Sequence, residues 1–441
     1  MWVEELRIEN IKCFDGQTLR FTKKEEPYRW VTFLSENGGG KSTALQTLAL
    51  LLAGPESVQN LMPRPLAWLR DEERPGRISV RIHQGNGDPG RFGEERVTRS
   101  FGYSYHVTGS KPIEIRNRRY NEPTIVENVE KRLSWLRQNA FTSKGFGWFA
   151  VGYGAFRRLT RSSQIIVPSL EQQARFTNFI TQFNEDEPLS AFERWMVYLD
   201  YRISKANDSD AKRVKDIGID AINRLLPVGA RFDRVTEEGR ICFNINGVIV
   251  PTIALSDGYR SILALAGDLV WRLILAFPKS ENPLEQEGVA LIDELDIHLH
   301  PIWQRHIAGW LREKFPKLQF IVATHSPLVA AGAGEDALTL KFDMEDGKSL
   351  VKQIPGLASK NVDQILQSEA FALVSPFSPQ MQAKIDRYDA LTKKGNKRKP
   401  HEEDELQRLL PFMEEARPFG GAPQPDSLDA RIEDYLEKAL K

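Results

Sequence analysis

Apolar and polar positions divide the chain into a strand-rich opening, a charged helical middle and a closing stretch of alternating strands and helices. Residues 3–11 alternate around a polar break, which predicts an edge strand entering a turn. Tyr28-Arg29-Trp30-Val31-Thr32-Phe33-Leu34 is aromatic and β-branched and predicts a buried strand. A glycine cluster follows at once. Residues 43–52 are then strongly apolar and predict a helix closed by Gly54-Pro55. Residues 60–120 carry short strand-like pieces among Gly and Pro turns, Ile78-Ser79-Val80-Arg81-Ile82 being the clearest. From 169 to 226 the pattern is helical and charged, with breaks at Pro188 and Asn207-Asp208. No heptad persists there, so short helices are expected rather than a coiled coil.

Strand signals return at 241–245 and 248–250, followed by a long apolar helix over 261–277. Val289-Ala290-Leu291-Ile292 is fully apolar, as a strand covered on both faces would be. A helix over about 301–314 and a strand over 319–323 complete the pattern. Beyond Pro376 the chain reads as helical and highly charged, with an exposed loop at 393–400. The class this predicts is α/β, with a core split by an insertion. The expected division is 1–55 and 236–345 for the core, 56–168 for a β-rich insertion, 169–235 for a helical lid, and 346–441 for a helical C-terminal region.

Composition narrows the class. Sixty Lys and Arg balance sixty Asp and Glu, so no overall field draws the chain to nucleic acid or membrane. Hydrophobic residues make up 41%, and the mean hydropathy is -0.41, as in an ordinary globular protein. No apolar run approaches the roughly 18 residues of a membrane span. Met1-Trp2-Val3-Glu4-Glu5 lacks the basic and apolar parts of a secretion signal, and Cys13 and Cys242 are too few for a disulfide framework. A cytoplasmic chain with no membrane partner is expected.

The strongest chemical signal is Ser35-Glu36-Asn37-Gly38-Gly39-Gly40-Lys41-Ser42-Thr43, lying between a strand and a helix. In such a loop backbone N–H groups wrap phosphates, a lysine reaches the outer phosphates, and a hydroxyl ligates Mg²⁺. Lys41 and Ser42 suit the last two roles; Ser35 stands where the first glycine is usual. Asp293 and Glu294 end the apolar strand at 289–292. There, one carboxylate can hold Mg²⁺ and the next can polarise a water. Leu255-Ser256-Asp257-Gly258 opens the long helix and is either a second anion site or a simple N-cap. His325 ends the next strand, where it contacts a γ-phosphate or is merely structural. His298 and His300, two apart on one loop, are poor evidence for zinc without a third ligand.

In order and spacing these motifs resemble the ATP-binding-cassette ATPase head. The likeness is to the branch shared by chromosome-maintenance, double-strand-break-repair and overcoming-lysogenization-defect proteins. That resemblance implies ATP and Mg²⁺ as cofactors. Asn37, Gly38, Gly39, Gly40, Lys41, Ser42 and Thr43 would bind nucleotide, joined by Ser256 and Gly258 of the signature loop. Ser42 and Asp293 would hold the metal, Glu294 would be the catalytic base, and His325 the switch histidine, with Asp296 in the loop between. Asp257 replaces the family's common signature glycine, and the expected glutamine loop is not identifiable. Tyr153-Gly154-Ala155-Phe156-Arg157 is the candidate to stand in for it. In this family a signature loop completes the ATP site of a different head, so the resemblance also implies ATP-bridged homo-oligomers.

No long coiled coil intervenes between the glycine turn and the signature loop, and the tail lacks the acidic set of a Toprim nuclease. Leu-Ser-Asp-Gly-Tyr-Arg-Ser at 255–261 and Val-Asp-Gln-Ile-Leu at 362–366 look like those of ATPase subunits in bacterial anti-phage systems of the Septu type. That likeness implies a separate HNH nuclease partner gated by ATP. Two other readings stay open: a nucleotide-binding scaffold with little turnover, and a DNA-repair ATPase acting on ends. Residues 131–161 interleave Lys131, Arg132, Arg137, Lys144, Arg157, Arg158 and Arg161 with Trp135, Phe141, Trp148, Phe149 and Tyr153. The pattern suits nucleic-acid backbones and unstacked bases, or else a set of core aromatics.

Overall fold

The computed structural model describes residues 1–24, 26–85, 88, 100–128, 131–141, 147–155, 174–184, 191–226, 229–236, 238–255, 257–297, 299–373, 375 and 377–416. It contains two compact units. Met1–Ile365 with Glu369–Phe371 form the first, and Leu366–Ser368 with Ala372–Lys441 the second.

A six-stranded sheet organises the first unit. In space its strands run Phe149–Tyr153, Gly288–Ile292, Leu318–Thr324, Trp30–Leu34, Leu338–Glu345 and Lys348–Gln353. The first five are parallel, and the last returns antiparallel through a hairpin. Every residue of the strands Phe149–Tyr153, Gly288–Ile292, Leu318–Thr324 and Trp30–Leu34 is buried, as parallel strands covered on both faces must be. One face, with Phe33, Leu291 and Ile321, packs against Ala44, Leu45 and Leu48 of the helix Lys41–Ala53. The other, with Ala290, Ile292 and Val322, packs against Leu269 and Leu273 of the helix Asp257–Ala276 and Leu311 of the helix Pro301–Lys314. The glycine-turn helix and the signature helix thus cover opposite faces of one sheet.

A second, antiparallel sheet runs Ile125–Glu127, Ser100–Val107, Gly76–His83, Trp2–Ile11, Phe14–Arg20. The opening strand was expected at an edge; it is instead paired on both sides. Its alternation reflects one-sided burial, with Leu6 and Ile8 in the core and Arg7 and Glu9 exposed. Helices Ala191–Ala206 and Ser209–Leu225 meet at the expected break, where the Asp208 side chain accepts the Ala211 N–H at 3.0 Å and caps the second helix. Three further strands, Ala230–Val235, Ile241–Ile245 and Val248–Pro251, form a small sheet.

Several described elements depart from the sequence expectation, the helix Lys131–Asn139 in the segment read as β-rich among them. Phe149–Tyr153, inside the segment read as an insertion, is the edge of the central sheet. Ala230–Val235 is a strand in the segment read as a helical lid. Lys348–Gln353 is a strand in the segment read as helical, because it completes a hairpin with Leu338–Glu345 on the central sheet. For the basic-aromatic window the structure favours the second of the two readings, core aromatics. Phe141, Trp148, Phe149 and Tyr153 are buried core residues that offer no face to a base, and Trp135, partly buried, packs against that core. Arg137 pairs with Glu127 at 2.8 Å and Glu56 at 3.5 Å. Lys144, Arg157, Arg158 and Arg161 lie outside the described residues, as do the side chains of Lys131 and Arg132.

In the second unit, helices Pro379–Lys393 and Pro400–Ala416 form an antiparallel pair tied by Arg387, which donates to both Glu405 oxygens at 2.9 and 2.7 Å. The Lys394 ammonium, then the Lys399 N–H, hold Glu402 at about 2.

A buried polar cluster ties the signature helix to the central sheet. The Tyr153 hydroxyl donates to Asp268 Oδ2 at 2.9 Å, and Arg272 Nε donates to the same oxygen at 2.6 Å. Arg272 Nη1 donates to Asn178 Oδ1 at 2.6 Å, and Asn178 Nδ2 donates to the Ala150 carbonyl at 3.2 Å. Burial, and then the Asp268 carboxylate, push the Tyr153 phenol well above its ordinary range, so it serves only as a neutral donor. Asp268→Ala leaves the buried Arg272 charge uncompensated and is expected to cost about 3–5 kcal/mol in denaturant unfolding. A loss under about 1 kcal/mol would show that water or rearrangement satisfies the arginine.

Candidate nucleotide-binding site

The carboxyl ends of the parallel strands gather the sequence motifs. Trp30–Leu34 leads into the glycine turn, where Gly38 and Gly40 take φ of 83° and 104°, values that only glycine adopts freely. Gly39 has a different reason: a Cβ there would come within 2.7 Å of Ser35 Cβ and 3.0 Å of the Phe342 carbonyl. Ser349 Oγ donates to the Gly39 carbonyl at 2.8 Å and fixes the turn from the neighbouring hairpin. Gly40 opens the helix, its carbonyl accepting the Ala44 N–H at 2.9 Å. Asn37, Gly38 and Ser42 face solvent, whereas Thr43 is buried.

Lys41 is buried, and its Nζ donates to the Ser35 carbonyl at 3.1 Å and Ser35 Oγ at 2.8 Å, and lies 3.0 Å from His325 Nε2. Burial lowers its pKa, while Asp293, Glu294 and Asp296 pull the other way. Those three acids follow Gly288–Ile292. The Asp293 N–H donates to the Tyr153 carbonyl at 2.8 Å, and the Leu295 N–H to the Ala323 carbonyl at 3.1 Å. Between them Glu294 takes a φ of 46°, unusual for a residue with a side chain. Asp296 organises the histidine loop: its Oδ1 accepts from the Thr324 hydroxyl and, at 3.3 Å, from the His325 N–H. Ser326 caps the helix Pro327–Gly332 and donates to Gln304 Oε1 at 2.7 Å.

The structure therefore brings Lys41, His325 and the three acids into one electrostatic cluster beside the glycine turn. Gly258 lies in the first turn of the signature helix; Ser256 lies outside the described residues, as does His298. His300 Nδ1 accepts the Ile302 N–H at 3.3 Å as the cap of its helix. Tyr153 and Gly154 sit at the end of the strand beside the acid strand, while Phe156 and Arg157 lie outside the described residues. Sequence reasoning missed Gln182. This glutamine is 8% exposed, both its amide atoms are without a hydrogen-bond partner, and it sits over Gly152, where it leaves no room for a Cβ. Its backbone carbonyl accepts Gln46 Nε2 of the glycine-turn helix at 3.0 Å. No motif marks it; only the small residue at 152 hints that another side chain comes close.

The glycine turn entering a helix, an acid strand separated from it by the histidine strand, and a signature helix on the opposite face define an ATP-binding-cassette ATPase head. The family model described as "AAA domain, putative AbiEii toxin, Type IV TA system" matches residues 36–331, and the chain belongs to that family. It is similar to Septu protein PtuA of Bacillus mycoides, 27% identical over 93% of this chain and 50% of that protein. It is also similar to the Retron Vc95 probable ATPase of Vibrio cholerae, 35% identical over 34% of this chain and 29% of that one. The chain thus spans half or less of the length of these relatives. Among solved structures, the SMC head bound to the C-winged helix domain of ScpA aligns with a TM-score of 0.48 at 15% identity, covering 82% of this chain and 100% of that one. No helix among the described residues is long and apolar enough to cross a membrane.

Gly39→Ala should force Ser35 and the Phe342 carbonyl apart. Nucleotide affinity is expected to fall at least about tenfold, or ~1.4 kcal/mol, with circular dichroism unchanged. Wild-type affinity in a titration would show that the turn yields without consequence.

Proposed function

We propose that the chain binds ATP at the glycine turn and hydrolyses it in head-to-head assemblies, and that this cycle governs a separate nuclease in anti-phage defence. The observation that carries the reading is the buried Lys41 ammonium lying beside His325 within the field of Asp293, Glu294 and Asp296. Such a cluster serves a polyphosphate whose charge is shared between cationic and metal ligands. The donor set fits the group: backbone N–H groups of a turn too tight for a Cβ, a cation at its base, and carboxylates opposite.

In this reading Asn37, Gly38, Gly39, Gly40 and Thr43 present the turn's backbone to the phosphates, and Lys41 neutralises the outer ones. Ser42 and Asp293 would hold Mg²⁺, which when bound offsets phosphate charge. Glu294 accepts the proton of an attacking water, and Asp296 holds the His325 loop so that the imidazole faces the γ-phosphate. Gln182 is the candidate for the glutamine that no motif supplies. Ser256 and Gly258 would complete the site of a second copy. The burial of the glycine-turn helix and the signature helix on opposite sheet faces supports closure between chains rather than within one. Likeness to the Septu type favours an HNH nuclease as the partner, and the similarity to Septu and retron proteins favours defence.

Glu294→Gln is expected to keep ATP binding and lower steady-state phosphate release by about 10²–10⁴-fold, while Lys41→Ala loses nucleotide affinity. Equally negligible turnover in wild type and Glu294→Gln would replace the enzyme reading with a nucleotide-held scaffold. DNA-stimulated turnover without a nuclease partner would favour repair.

A further inference from the structure

An ammonium has three N–H donors, and Lys41 has three acceptors: the Ser35 carbonyl at 3.1 Å, Ser35 Oγ at 2.8 Å and His325 Nε2 at 3.0 Å. The cation is saturated without any phosphate. Ser35 is oriented for this. Its hydroxyl donates to the Glu36 carbonyl at 2.6 Å, which turns the oxygen's lone pairs toward Lys41. The residue is 9% exposed, and its Cβ and Oγ lie so near Gly39 that a Cβ there would come within 2.7 Å of both. A glycine at this position would offer the lysine only a carbonyl.

We propose that Ser35 is a positioning residue that holds Lys41 in a resting hydrogen bond, which an entering phosphate must displace, and that it thereby lowers nucleotide affinity. The inference rests on the reading of Lys41 as the phosphate-binding cation. On nucleotide entry the Ser35 carbonyl can keep its hydrogen bond. The bonds to Ser35 Oγ and His325 Nε2 are the ones exchanged for phosphate oxygens. Removing Oγ leaves the free state with an unsatisfied buried N–H, and the bound state as before. Affinity therefore rises when the hydroxyl is removed.

The test is a fluorescent-nucleotide titration, with stopped-flow rates, of the full chain as wild type, Ser35→Ala, Ser35→Gly and Lys41→Ala. ADP is measured beside ATP, because ADP has no γ-phosphate for His325 to meet. Ser35→Ala keeps Cβ and is expected to tighten both nucleotides by about three- to tenfold, with the gain in the association rate and dissociation unchanged. Ser35→Gly repeats the test should the alanine variant melt early. Unchanged or weaker binding in both Ser35 variants, with Lys41→Ala deficient, overturns the role of Ser35 alone. Wild-type binding by Lys41→Ala overturns the underlying reading.

Discussion

Burial of one sheet on both faces is the constraint from which the rest of the first unit follows. Parallel strands cannot be joined by tight turns, so each connection must cross a face and cover it. The chain leaves the glycine-turn strand for a helix on one side and enters the acid strand after a helix on the other. Every loop that follows a parallel strand then emerges at the same edge. Residues as distant in sequence as 41, 153, 293 and 325 are gathered at that edge for that reason.

Crowding charged groups at that edge is costly unless each is given partners. Burial works against the Lys41 charge while three carboxylates support it. Asp296 is held by the Thr324 hydroxyl and the His325 N–H, and the Gly39 carbonyl by Ser349. Away from the edge, Tyr153, Asp268, Arg272 and Asn178 do the same for a charge pair in the interior. Such networks cost desolvation and return geometric definition. They hold the acid strand, its neighbour and the signature helix in one arrangement.

Features written in local chemistry were legible in the sequence. The glycine turn, the helix after it, the strand Gly288–Ile292 and the helix Pro301–Lys314 all carry their own punctuation, in glycines, an apolar run or Pro301 at a helix start. Features that depend on distant partners were not. Phe149–Tyr153 is five residues whose pairing, among the described residues, is a parallel one with a strand far along the chain. The aromatics from Phe141 to Tyr153 look the same in sequence whether they face solvent or core, so both readings stayed open until their burial was seen. Gln182 belongs to no motif, and its closeness to Gly152 exists only in three dimensions.

The left-handed backbone at Glu294 sets two demands against each other. An L-residue in that conformation is less comfortable than glycine by roughly 1 kcal/mol. Drift toward glycine would thus make the fold sturdier and leave the head without its carboxylate.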